Sequence, residues 1–219
     1  MLTAYWKQFK SGTDIRGVAC GGVPGEEISL TDEVIEKIIS AFVLWLSSNV
    51  KKDSSQLTVA VGHDSRITAD RIQAAVTRAL TAAGVSVLDC GLASTPSMFM
   101  TTVDLACDGA VQITASHHPF NRNGLKFFTR NGGLDAPDIE RILLSAQNGE
   151  KPASGKGEMK AVNYMEQYSA HLRELIKRGV HSADYDHPLK GFKIVVDAGN
   201  GAGGFYASDV LAPLGTDTT

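Results

Sequence analysis

Apolar positions along this chain recur with two periods, and the two alternate. Val34, Ile38, Phe42 and Trp45-Leu46 return at helical spacing after Thr31-Asp32, a pair suited to starting a helix. Leu57–Val61 is a short apolar run with the branched side chains of a buried strand. Ile72, Ala75-Val76 and Ala79-Leu80 then share one helix face, with Thr68 or Ser65 expected as its cap and Gly84 as its end. Val85–Leu88 reads as the next strand. Thr95-Pro96 opens another helix, with proline in the first turn, where its missing N–H costs nothing. Gly109–Thr114 follows as a strand and Asp135–Gln147 as a helix. Strand-helix repetition of this kind predicts an α/β fold, a mainly parallel mixed sheet with helices on both faces.

Beyond residue 148 the pattern breaks. Asn148-Gly-Glu-Lys-Pro-Ala-Ser-Gly-Lys-Gly157 is rich in turn formers, which predicts a domain over residues 1–148 and a linker over 149–160. Helical spacing resumes with Tyr164, Tyr168, Leu172 and Leu175-Ile176. A strand is predicted over Phe192–Asp197 and a helix over Tyr206–Leu214.

Composition narrows the functional classes. Among 219 residues, 43% are hydrophobic and 21% charged, the balance of a globular protein. A net charge of −3 with no basic stripe argues against nucleic acid as a partner. Cys20, Cys90 and Cys107 are odd in number and lack metal-type spacing, and His171, His181 and His187 form no ligand pattern. The N-terminus shows no signal-peptide core, and Ala41–Leu46 is far too short an apolar run to span a bilayer. A cytoplasmic protein without membrane association is therefore expected.

The chemistry gathers around Thr114-Ala-Ser116-His117-His118-Pro119 and Asn123-Gly124-Leu-Lys126. A hydroxyl, an imidazole and an ammonium group fall within thirteen residues, at the carboxyl end of a predicted strand. Open α/β sheets bind ligands at such ends. Asn123-Gly124 is a turn signal, and Gly124–Phe128 reads as a returning strand that carries Lys126 toward the serine.

The string T-A-S-H-H-P-x-x-x-N-G-x-K resembles the active-site signature of the phosphohexomutases, the phosphomannomutase/phosphoglucomutase family, with His118 at a position more often held by asparagine. The resemblance implies that Ser116 is carried as a phosphoserine. It gives its phosphoryl group to a hexose monophosphate, mannose or glucose, and takes one back from the bisphosphorylated sugar. Lys126 matches the family's proton-transfer lysine and His117 the histidine beside the carrier. A phosphoserine bears about −1.5 to −2 charges, so cations must surround it. Phe9-Lys-Ser-Gly-Thr-Asp-Ile-Arg16-Gly17 is similar to the family's opening element, which places Arg16, a planar fork for phosphate oxygens, beside the carrier. Asn123 is the second residue assigned to phosphate or substrate. Val61-Gly-His-Asp64-Ser-Arg66 is a weaker match; Asp64 and Arg66 are expected to hold their loop together instead of touching substrate.

The resemblance also implies magnesium as cofactor and hexose 1,6-bisphosphate as activator. Ser116 would reach the metal through its phosphate, while the aspartate ligands are expected beyond this chain. On that view residues 161–219 are the start of a second α/β domain, the fragment alone is inactive, and its incomplete part self-associates. Phosphoglucosamine mutase is the near alternative. Two readings lie further off. Gly199-x-Gly201-x-x-Gly204 spells a dinucleotide fingerprint but is expected to be a tight strand-to-helix turn. A serine hydrolase would want glycines flanking Ser116, and none is present.

Overall fold

The computed structural model describes all 219 residues, which divide into two units, Met1–Val162 and Asn163–Thr219. In the first, chain order is α1 (Ala4–Lys7), β1 (Lys10–Ser11), β2 (Asp14–Val18), α2 (Asp32–Val50), β3 (Thr58–His63), α3 (Ala69–Ala82) and β4 (Ser86–Leu92). It continues with α4 (Thr95–Asp104), β5 (Gly109–Ile113), β6 (Arg122–Thr129), β7 (Gly132–Gly133), α5 (Ala136–Asn148) and β8 (Met159–Ala161).

These elements start where local chemistry satisfies their orphan backbone donors. The Thr31 side chain accepts from Val34 N to cap α2, Ser94 accepts from Ser97 N at α4, and Asp135 accepts from Asp138 N at α5. Thr68, one of the two residues expected to cap α3, stands at the cap position without capping. Its hydroxyl instead receives the amide of Asn123.

The eight strands form one sheet, ordered β1-β2-β6-β5-β3-β4-β8, with β7 beside β6. β5, β3, β4 and β8 are mutually parallel, while β6 runs antiparallel to both β5 and β2. Two reversals return β2 to the direction of β5, so only β6 and the two-residue β1 oppose the rest. Alternation sends Val59, Val61, Val111, Ile113, Leu125 and Phe127 into the core under α2, α3 and α5. The opposite face takes α4, where Gly62 leaves room for Met98 and Ala93.

Two expectations are corrected here. Asn123-Gly124 is not a turn but lies inside β6, with Gly124 paired to Arg16 of β2. The glycine answers a close approach, since a Cβ there would run into the Ile15 carbonyl oxygen. Residues 149–160 are not a free linker. Gly155 N donates to Ala82 O at 2.8 Å and Gly157 N to Thr81 O at 2.8 Å, and β8 then adds to the edge of β4. Gly155 and Gly157 lie against the backbone of Gly84 and Val85, so their glycine content marks backbone packing.

The second unit contains α6 (Tyr164–Val180), with Tyr164 and Tyr168 buried. Burial, then the nearby Tyr206, pushes the Tyr168 phenol up to about 12. The predicted strand 192–197 is reduced to β9 (Lys193–Ile194), paired in parallel with β10 (Asp217–Thr218). The predicted helix 206–214 is a single π-type turn, Tyr206–Leu211, and a 3-10 turn, Ala212–Leu214. Gly199 and Asn200 do make a positive-φ turn, but no α-helix follows it. The dinucleotide reading thus loses the helix N-terminus that would receive a pyrophosphate.

Candidate active site

Ser116 stands three residues past the end of β5, on the side where the parallel strands β3, β4 and β5 also end. It is exposed and adopts φ +57°, a left-handed conformation rare for a residue with a Cβ. Neighbouring groups hold it there. Its N–H donates to Thr114 Oγ1 at 2.9 Å, and that hydroxyl donates to Asp64 Oδ2 at 2.6 Å. Arg66 supplies the larger constraint. One terminal nitrogen donates to the carbonyls of Ser116 (2.6 Å) and His118 (2.8 Å), the other to those of Pro119 (2.9 Å) and Arg122 (2.9 Å). Asp64 accepts from Arg66 N at 3.1 Å and pairs with the guanidinium, Nε to Oδ2, at 3.4 Å. The loop from 116 to 122 is wound around one arginine, so the structure gives Asp64 and Arg66 a loop-holding part.

The far end of the loop is fixed by Glu26. Its Oε2 accepts from Asn121 Nδ2 at 3.0 Å and from Arg122 at 3.1 Å, and these bonds hold the carboxyl below the usual range.

The remaining cations come from the β2–β6 pair. Asp14, Arg16, Gly124 and Lys126 fall on one face of it, by register and by alternation. Arg16 and Lys126 both donate to Asp14 Oδ2, at 2.8 Å and 2.6 Å, and Asp14 is only 7% exposed. Gly124 O accepts from Thr114 N, which puts Arg16 level with the start of the serine loop and Lys126 one step behind it. Arg16, Arg66 and Arg122 all act on His118. Burial first, then Arg16, His117, Arg122 and Arg66, hold its imidazole below the ordinary histidine value. His117 is exposed, and its ring stacks on that of His118 with centroids 5.3 Å apart.

The structure therefore brings Ser116, His117, Arg16 and Lys126 to one end of the sheet. It does not bring Asn123 with them. Asn123 has no exposed surface; its Nδ2 donates to Thr68 Oγ1 at 2.9 Å, and its Oδ1 accepts from Gly124 N at 2.8 Å. We assign it to fixing β6 against the start of α3, in correction of the substrate-binding expectation. Sequence reasoning missed Asp14. Its signal was present, because a carboxylate two residues before Arg16 in a strand shares that arginine's face.

The residues present do not make a magnesium site. No group of three His, Cys, Asp or Glu side chains is placed to hold a metal, and both Asp14 and Asp64 are engaged by cations or a hydroxyl. Cys90 and Cys107 are buried thiols, pushed up by that burial to about 12 and about 11, which leaves them protonated and unreactive. A cleft of about 680 Å³ between α2 and α5, lined by Trp45, Asp138, Arg141 and Glu150, contains none of the site residues.

This arrangement can be set beside known proteins. Residues 8–153 match the sequence description of phosphoglucomutase/phosphomannomutase, alpha/beta/alpha domain I. The chain belongs to this family. Phosphomannomutase from Escherichia coli is 33% identical over 157 residues, which cover 69% of this chain and 33% of that protein. Phosphoglucosamine mutase from Corynebacterium jeikeium is 31% identical over 213 residues, 94% of this chain and 44% of that protein. The fold is shared with a phosphoglucomutase/phosphomannomutase family protein from Burkholderia thailandensis, at TM-score 0.75 and 24% identity over 100% of this chain and 44% of that one. The chain spans less than half the length of each of these relatives. No helix is long and apolar enough to cross a membrane.

Proposed function

We propose that this family member supplies the phosphoserine-bearing part of a phosphohexomutase, with Ser116 as the phosphoryl carrier. The observation that carries this is Ser116 itself: an exposed hydroxyl in a left-handed conformation, held by Arg66 and Thr114 at the end of the sheet where Arg16 and Lys126 meet on Asp14. Strain at one side chain persists only where its surroundings over-determine it, as they do at this loop.

In the reaction, the bond from phosphorus to Ser116 Oγ breaks as a bond to a hydroxyl oxygen of a hexose monophosphate forms. The proton of that hydroxyl ends on Ser116, with Lys126 as the group that exchanges it. Return transfer of the other phosphate regenerates phosphoserine and releases the isomeric monophosphate, so atoms and charge balance over the cycle. Phosphoryl transfer rests on positioning and on neutralising equatorial oxygens, and Arg16 and the cation-lined loop suit that demand. Exposed His117 stands beside the carrier. The hexose is mannose or glucose in the leading reading and glucosamine in the alternative; the E. coli and C. jeikeium relatives carry one name of each kind. Hexose 1,6-bisphosphate is the activator and magnesium the cofactor in this reading.

Label transfer tests this reading. A hexose 1,6-bisphosphate carrying radioactive phosphate should label the native protein at Ser116, and unlabelled hexose monophosphate should chase the label into sugar. Covalent capture of Ser116 by a fluorophosphonate, with no label from the bisphosphate, would favour a serine hydrolase instead.

A further inference from the structure

We infer that Asp14 is the positioning residue of this site, a built-in anion that holds Arg16 and Lys126 together until phosphate replaces it at Arg16. The inference rests on the reading of Ser116 as a phosphoryl carrier, which gives the two cations their purpose. Four observations lead to it.

Asp14 reaches both cations through a single oxygen, Oδ2, at 2.8 and 2.6 Å. The three side chains come from two strands more than a hundred residues apart in sequence, so their meeting depends on the β2–β6 register. The carboxylate side chain is 9% exposed, against 13% for Arg16 and 21% for Lys126, so water screens the group weakly. Arg16 keeps donors in reserve, because its Nε is buried and has no partner. A planar guanidinium with five N–H groups can therefore turn toward a phosphate without giving up every bond at once.

The physical need is plain. Two cations gathered for a dianion repel one another whenever the dianion is away. A fixed carboxylate cancels that repulsion and keeps both side chains in place, and its single charge concedes Arg16 to a phosphate bearing more charge. Lys126, the shorter contact, stays on Asp14 throughout and is held at the distance its proton exchange requires. Asp14 acts through these two residues and touches neither the sugar nor phosphorus.

Acetylation of the purified protein with acetic anhydride, read lysine by lysine by peptide mapping, tests the idea without any turnover. Asp14→Asn should raise the Lys126 rate about tenfold, between the small effect of an exposed ion pair and the larger one of a fully buried pair. Lys52, paired with Asp108 away from this cluster, should keep its rate and so report intact folding. Asp14→Glu, which retains the carboxylate, should restore most of the protection. A native Lys126 rate in Asp14→Asn, or equal rates in the Asn and Glu variants, overturns the inference. Should Asp14→Asn fail to fold, nitrogen-15 NMR of lysine ammonium groups in the unaltered protein decides. A distinct, slowly exchanging Lys126 signal supports the pairing, and one averaged like exposed lysines contradicts it. Failure of Ser116 to take phosphate would sink the functional reading while leaving these results intact.

Discussion

Ser116 combines chemistry and strain in one residue. A non-glycine side chain at φ +57° costs about 1–2 kcal/mol. Replacing Ser116 by glycine should therefore stabilise the protein by about 1 kcal/mol relative to Ser116→Ala, while both variants lose phosphoryl acceptance. Urea midpoints and phosphate incorporation read the two effects separately. Arg66 is the counterweight. Arg66→Ala leaves four loop carbonyls without their donor and Asp64 without its ion pair, a loss of about 2–4 kcal/mol in urea unfolding. Arg66→Lys should recover little of it, because one ammonium cannot span all four acceptors.

His118 adds a dependence on pH. Its folded-state value lies below the ordinary 6.5, chiefly through burial and then through its cationic neighbours. The unfolded chain therefore takes up a proton that the folded loop resists. The resulting loss of stability is absent above pH 6.5 and grows as pH falls below it toward the folded value. His118→Asn should lose less stability than the parent between about pH 7.5 and about pH 5, seen as a smaller shift in urea midpoint.

At the scale of elements, α2, α4 and α5 were legible because their apolar faces and caps agree. Thr31, Pro96 and Asp135 all sit where the periodicity places a helix start. The serine motif was legible as a short string whose residues the β5–β6 pairing brings near one another. Long-range pairing was not. Asn123-Gly124 read as a turn because local propensity favours one, yet the approach of Ile15 draws it into a strand. Residues 149–160 read as a linker because composition does not distinguish glycine that bends from glycine that packs. Asp14 went unassigned because its role depends on a strand a hundred residues away. Gly124→Ala tests the register directly. The Cβ must part β2 from β6, so about 1–3 kcal/mol should be lost. Amide exchange should quicken along β2 and β6 and leave α3 unchanged.

At the scale of the whole molecule, the first unit brings Ser116, Arg16 and Lys126 to one end of its sheet but holds no cluster of metal ligands. The 219 residues alone should therefore exchange phosphate with sugar slowly, so that glucose 1-phosphate turns over with magnesium and bisphosphate far below the rate of an intact mutase. Turnover comparable with an intact mutase would contradict that. Self-association through the second unit stands as a proposal alongside it. Light scattering should show dimers that vanish when residues 163–219 are removed.

The central claim is that Ser116 stores phosphate, and peptide mapping of the native protein by mass spectrometry, before and after exposure to hexose 1,6-bisphosphate, tests it most directly. The account predicts one added phosphate, on Ser116, rising with the bisphosphate and absent from Ser116→Ala. Phosphate on another side chain, with Ser116 unmodified after that exposure, would contradict it.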